Sequence, residues 1–291
     1  MEALTEDKIK EIIKEEIQKY FSEGIDIPKR RTVSVTNSHQ NFVDTNDHNH
    51  PYLFTDKQRG YNTISIFQRK STLDKIDSNP LLNALKQRKG WKFNNAKQDL
   101  MKLLRNFVAA SNLLPKYDTI IMTPSNNQLN NIIFGYLIRL IKHSYHIDDF
   151  FEKMTASDVY NCMIDDEYIE EHYPLIADKV RDDIDDAFSQ MDKENNGIFS
   201  YKYLQRAEYR EIIIQSMKIN EYPHCELNYA DIINDKDVLV FDDTITTGKT
   251  ISDSGKAIKE MFNPKSITYI TLFSAIDKEN DATQQKVDKI N

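Results

Sequence analysis

The chain has 291 residues, 40% of them hydrophobic, and a net charge of −8. That is enough apolar material for a sizeable core, in one large domain or two small ones. The acidic balance argues against nucleic-acid binding through the overall field, and no apolar run reaches the roughly eighteen residues of a membrane-spanning helix.

The start is charged from Glu2 onward and lacks a signal-peptide core. Cys162 and Cys225 are the only cysteines, which fits reduced thiols and a cytoplasmic setting. Residues 4–22 read as an amphipathic helix with Ile9, Ile12, Ile13, Ile17 and Phe21 at helical spacing. Two readings are open for it: a homo-oligomer or partner contact, or a helix docked on its own domain. Residues 29–60 read as a polar, irregular arm, and His39, His48 and His50 fall there in a solvated loop.

Asn62 to Arg69 alternates as a strand. Turn-rich sequence follows through Asn79-Pro80 and Lys89-Gly90, then a helix over about 94–113 with Leu100, Leu103, Leu104, Phe107 and Val108 on one face. Tyr117 to Met122 reads as a buried strand running into the polar turn Thr123-Pro124-Ser125-Asn126-Asn127. The apolar stretch from Leu129 to Lys142 predicts a deeply buried helix.

Residues 146–218 read as a helical insert. Ile164 to Glu194 carries twelve acidic and three basic residues, so this segment accounts for the whole acidic balance. Asp192 to Tyr203 resembles an EF-hand loop, with Asp first, Asn fifth and Gly197 sixth, but Tyr203 replaces the bidentate Glu. A helix–turn–helix corner is the better reading. The next helix, Ser200 to Lys218, is expected to carry Lys202, Arg206 and Arg210 at spacing four as one basic stripe, placed to pair with the acidic helices.

Val238-Leu239-Val240-Phe241 runs into Asp242-Asp243, then Thr244-Ile245-Thr246-Thr247-Gly248-Lys249-Thr250. The apolar run reads as a strand buried on both faces of a parallel sheet, and Lys249 to Phe262 as a helix packed on it. The loop between sits where open α/β sheets bind ligands. Backbone N–H groups at a helix start bind anions, Gly248 permits a positive φ, and the threonines add hydroxyls. Ionised Asp242 and Asp243 only accept hydrogen bonds, which suits sugar hydroxyls. A ribose phosphate satisfies both halves. Gly248-Lys249-Thr250 ends like a Walker A loop, but Asp243 stands where that loop needs glycine. Ser266 to Ala275 reads as a further strand, and 276–291 as a polar tail.

This stretch resembles the phosphoribosyl pyrophosphate (PRPP) motif of the type I phosphoribosyltransferases: an apolar strand, two acids, two further residues, then Thr-Thr-Gly-x-Thr. Thr244 stands where an aliphatic residue is commoner. The resemblance implies an α/β fold with a mainly parallel sheet, a core over 62–275 holding the insert, and transfer of phosphoribose from PRPP to a nucleobase-type acceptor. It implies that Asp242 and Asp243 hold the ribose, that Thr246, Thr247, Gly248, Lys249 and Thr250 hold the 5-phosphate, and that Mg²⁺ comes with PRPP. It places the pyrophosphate loop at Thr123 to Asn127, where the Pro-Ser pair is similar to the branch that includes competence-associated proteins. Lys202, Arg206 and Arg210 then have a second reading, as contacts to the diphosphate. The family has another core strand and a flexible catalytic loop within the insert interval, and neither Val159 to Ile164 nor His224 to Leu227 makes a good strand. Two rival readings stand beside the enzyme: a non-catalytic PRPP or nucleotide regulator, and a structural or assembly protein on a retired enzyme fold.

Overall fold

A computed structural model describes residues 24–36, 43–44, 52–56, 61–69, 83–84, 90–95, 98–99, 102, 117–124, 128–140, 144–221, 228–245 and 248–274. The first strands are β1 (Gly24–Lys29), β2 (Thr32–Thr36), β3 (Val43–Asp44), β4 (Tyr52–Asp56), β5 (Tyr61–Arg69), β6 (Lys92–Phe93) and β7 (Thr119–Met122). After them come α1 (Gln128–Leu140), β8 (Tyr145–Ile147), β9 (Phe151–Lys153), α2 (Ala156–Cys162), α3 (Asp166–His172) and α4 (Ala177–Glu194). Two 3₁₀ turns at Tyr201–Tyr203 and Ala207–Ile212 lead to β10 (Met217–Ile219), α5 (Tyr229–Ile233), β11 (Asp237–Ile245), α6 (Lys249–Met261) and β12 (Ser266–Ser274).

The protein is α/β. Strands β5, β12, β11, β7 and β8 lie side by side in that order, all parallel. β3 and β4 run antiparallel along the outer edge of β5, at its end and its start. The core strand β11 is buried along nearly all its length, as its unbroken apolar run requires of a strand covered on both faces. The covering helices come from opposite directions. Tyr269 is the register partner of Val240, and its hydroxyl donates to Ile251 O at 3.0 Å, so α6 covers the Val240 face. Phe134 stacks on Phe241 with ring centroids 6.4 Å apart, so α1 covers the other. Gly255 lets α6 approach closely: a Cβ there would collide with the Tyr61 ring and come within 2.8 Å of the Tyr269 hydroxyl.

The insert is a module with its own core, a cluster that includes Val159, Ile169, Val180, Ile184, Phe188, Met191, Phe199, Tyr209 and Ile212. Thr155 caps α2 by accepting from Asp158 N at 3.0 Å, and Asp165 caps α3 by accepting from Tyr168 N at 2.9 Å. Along α4, Val180, Ile184, Ala187, Phe188 and Met191 form the buried stripe and the acids face outward. The module hangs from β9 and β10, an antiparallel pair in the register Met217↔Lys153 to Ile219↔Phe151.

Four expectations are corrected here. The sequence places no core strand in the insert, yet a parallel strand of the main sheet, Tyr145–Ile147, opens that interval. Only Ile147 of its three residues is buried, so it carries no apolar run to read. Val159 to Ile164 instead enters α2, and His224 to Leu227 lies outside the described residues. The insert is not wholly helical, and the helix read over Ser200 to Lys218 is two 3₁₀ turns and β10. The corner at Asp192 is a glycine turn, with Asn196 at φ 54° and Gly197 at φ 69°, but an extended bridge between Ile198 and Thr155 follows instead of a helix. Finally, the arm read as irregular contains strands: β1 and β2 form a hairpin joined by β6, and β3 and β4 extend the main sheet. The helix read over 4–22 and His39, His48 and His50 lie outside the described residues, as do the polar tail and most of the helix read over 94–113.

Candidate functional site

Two chain connections open a crevice between β7 and β11. From β7 the chain crosses through α1 to β8 on one side, and from β11 it crosses through α6 to β12 on the other. The reversal between the two neighbouring strands leaves a gap at their carboxyl ends, the usual ligand site of an open α/β sheet. β7 stops in register with Phe241, where Thr123 N donates to Phe241 O at 2.9 Å. β11 continues to Ile245 in register with β12. Asp242 and Asp243 therefore sit on the first part of β11 that has outrun β7.

Side chains alternate along a strand, so the two acids face opposite ways. Asp243 shares the Phe241 face with α1, and Asp242 shares the Val240 face with α6. Each is only 7% exposed, which commits both carboxylates to polar partners. Asp242 Oδ1 accepts from the Asp243 amide at 2.8 Å. At the level of Asp242 its neighbours across the sheet are polar. Ser65 and Thr271 are successive register neighbours on one side and Thr123 adjoins it on the other, all buried. The hydroxyl oxygens of Thr123 and Thr271 have no hydrogen bond, nor do the side-chain amide atoms of Asn130 in the first turn of α1.

Gly248 caps α6 at φ 78°, ψ 3°, the left-handed conformation that glycine adopts without strain. The first turn of this 13-residue helix holds no acidic residue, so the helix start keeps its preference for an anion. Thr250 is half-buried at that turn, while Thr246 and Thr247 lie outside the described residues.

Lys249 does not reach outward to a phosphate. Its ammonium pairs with Asp253 Oδ1 at 3.0 Å and donates to Ile214 O at 3.2 Å, with the two side chains 9% and 1% exposed. The other oxygen of Asp253 accepts from Tyr201 Oη at 2.7 Å, Ser216 N at 3.0 Å and Ser216 Oγ at 2.5 Å. Burial pushes the Tyr201 phenol far above its ordinary value, and the Asp253 charge adds to the rise. One buried carboxylate thus ties the module to the helix that begins at the glycine turn. Sequence reasoning missed this knot. The spacing of four between Lys249 and Asp253 was its one local signal, and nothing in the chain pointed to Tyr201 or Ser216.

The basic stripe dissolves with its helix. Lys202 lies over the Tyr203 ring, 4.4 Å from its centroid. Arg206 pairs with Glu208 at 3.6 Å and lies over Tyr209. Arg210 is in the electrostatic reach of Tyr201, and burial lowers its pKa. The acids of α3 and α4 find their cation in Arg181 instead, which bridges Asp166 at 3.3 Å, Glu170 at 2.5 Å and Asp178 at 3.6 Å. Of the candidate pyrophosphate loop, Thr123 and Pro124 lie at the crevice, and Ser125, Asn126 and Asn127 lie outside the described residues. No group of three or more His, Cys, Asp or Glu suited to a metal occurs among the described residues, and none of the helices among them is long and apolar enough to cross a membrane.

No family model, curated protein or solved structure matches the chain.

Proposed function

We propose that the crevice binds PRPP and that the protein transfers phosphoribose to a small, nucleobase-type acceptor. The observation that carries this reading is the sequence of groups at the end of β11: two buried carboxylates, then a left-handed glycine opening α6. The acids accept from the ribose hydroxyls, and the α6 N–H groups donate to the 5-phosphate. Thr123 and Pro124, where β7 ends, adjoin the same crevice, and the diphosphate is assigned to that side. Mg²⁺ brought with PRPP would neutralise part of the diphosphate charge. In the transfer, the bond from ribose C1 to the diphosphate breaks and a bond from C1 to the acceptor forms. The diphosphate leaves with the bonding electrons, and the acceptor gives its proton to solvent. Orientation and charge stabilisation supply the catalysis.

A second reading is a PRPP-binding regulator without turnover. Lys202 and Arg206 favour it, since both are engaged within the module instead of being held out for a diphosphate. Calorimetry with PRPP and Mg²⁺, followed by a pyrophosphate-release screen across nucleobases, separates the two. Binding with release supports the enzyme, binding without release supports the regulator, and no binding refutes both.

A further inference from the structure

We propose that Asn130 reads one ribose hydroxyl beside Asp243, and so makes the site selective for ribose over a deoxy sugar. The inference rests on the PRPP reading above and adds a specificity-determining residue to it.

Asn130 is fully buried, and neither its Nδ2 nor its Oδ1 has a hydrogen-bond partner. A buried amide with both ends unmet is costly, and native chains keep one where something else completes it. Its position says what that could be. Phe134, one turn further along α1, stacks on Phe241. Residues four apart share a helix face, so Asn130 looks at the same side of the sheet. Because α1 joins two parallel strands, it runs back against them, and its first turn lies at their carboxyl ends. Stepping back from Phe134 to Asn130 covers about 6 Å of helix, and stepping on from Phe241 to the next residue on its face covers about 6.6 Å of strand. That next residue is Asp243. The amide and the carboxylate therefore come level on one wall of the crevice.

The pair is chemically matched to a hydroxyl. An ionised carboxylate can only accept, whereas an amide nitrogen donates. A sugar hydroxyl between them donates to Asp243 and accepts from Asn130. The other acid has a similar companion: Thr123, in line with Asp242, has a buried hydroxyl with no hydrogen bond. Each of the two carboxylates thus has an unmet polar group beside it.

The test is calorimetry with PRPP and Mg²⁺, ribose 5-phosphate, 2-deoxyribose 5-phosphate and 3-deoxyribose 5-phosphate, on the full chain and on Asn130→Leu. The wild type is expected to bind ribose 5-phosphate about tenfold or more tighter than one of the deoxy sugars. Asn130→Leu is close in volume and removes an unmet polar group, so it should melt no lower than wild type. It should bind ribose 5-phosphate about tenfold more weakly and bind that deoxy sugar as before, so that the preference narrows about tenfold while the bond to Asp243 keeps the rest. Asn130→Ala, which leaves room, should show the same narrowing if the leucine packs badly. A variant that keeps the wild-type preference overturns the inference and assigns the amide to a structural water. If the wild type binds neither PRPP nor ribose 5-phosphate, the PRPP reading falls and the inference with it.

Discussion

Replacing Asp253 by Ala tests whether the module is fastened to the sheet through one side chain. The substitution removes the ion pair to Lys249, made at 3.0 Å between side chains 9% and 1% exposed. It also removes the acceptor for Tyr201 Oη, Ser216 N and Ser216 Oγ. Breaking a buried pair from one side costs about 3–5 kcal/mol, since the remaining ammonium stays desolvated. Three orphaned donors at about 1–3 kcal/mol each would more than double that. The groups form one network, and water entering the vacated space would satisfy several at once, so the terms do not add. We expect a loss of about 4 kcal/mol, or a melting temperature lower by roughly 8–16 °C in a chain of this size. Urea denaturation at pH 7 reads the first figure and thermal denaturation the second. Limited proteolysis should show new cleavage within 144–221. Replacing Lys249 by Met in the Asp253→Ala background removes the stranded charge. The double variant should therefore be more stable than Asp253→Ala alone. A loss below about 1 kcal/mol for Asp253→Ala, or a double variant as unstable as the sum of the singles, would refute this account.

Four further outcomes are expected. Asp242→Asn with Asp243→Asn should abolish PRPP binding in calorimetry at an unchanged fold, because each charge-assisted bond is worth about 1.5–3 kcal/mol; wild-type affinity would remove the ribose assignment. Gly248→Val should lower both stability and PRPP affinity, since a β-branched residue is strained at φ 78°; an unchanged melting temperature would contradict it. Gly255→Ala should lower stability by about 1–2 kcal/mol, the collision with Tyr61 outweighing about 1 kcal/mol gained in helix propensity, and a more stable variant would show that α6 can shift away. The folded state holds the Tyr201 and Tyr269 protons at pH values where the unfolded chain releases them, so each contributes stability that is complete below the ordinary value of 10.0 and lost above it. Urea denaturation from pH 8 to 11 should show a fall of about 1.4 kcal/mol per pH unit per tyrosine above that point, with one tyrosine's share missing in Tyr201→Phe; equal slopes would refute the assignment.

The strands and helices of the sheet were legible where one physical constraint dominated. Val238 to Phe241 must be covered on both faces, and β11 is; Gly248 stands where the chain needs a positive φ, and it has one. The crevice followed from that strand and turn. What stayed hidden was set by tertiary contact. β8 is three residues long with one buried side chain, and only its pairing with β7 makes it a strand. Residues 200–218 carry helical spacing of basic groups, yet Tyr201 and Ser216 are held by Asp253, and that anchorage overrides local propensity. The inward turn of Lys249 was illegible for the same reason, since its partner oxygen on Ile214 belongs to a distant segment. Asn130 is a polar residue in an apolar helix, and its burial, set by tertiary contact, is what marks it out.

The neck formed by β9 and β10 has a consequence for how such a chain can vary. Antiparallel partners stand about 4.5–5.5 Å apart, so the chain leaves the sheet layer and returns to it at almost one point. Everything between Lys153 and Met217 is, topologically, an elaborated hairpin loop. A cassette of this kind can be exchanged or lengthened without changing the strand order, provided the partners of Lys249 and Asp253 stay at the seam near the glycine turn. A lineage carrying this scaffold could then remodel the module while leaving β11 and α6 untouched, so that the module and the glycine-turn site change on separate parts of the gene.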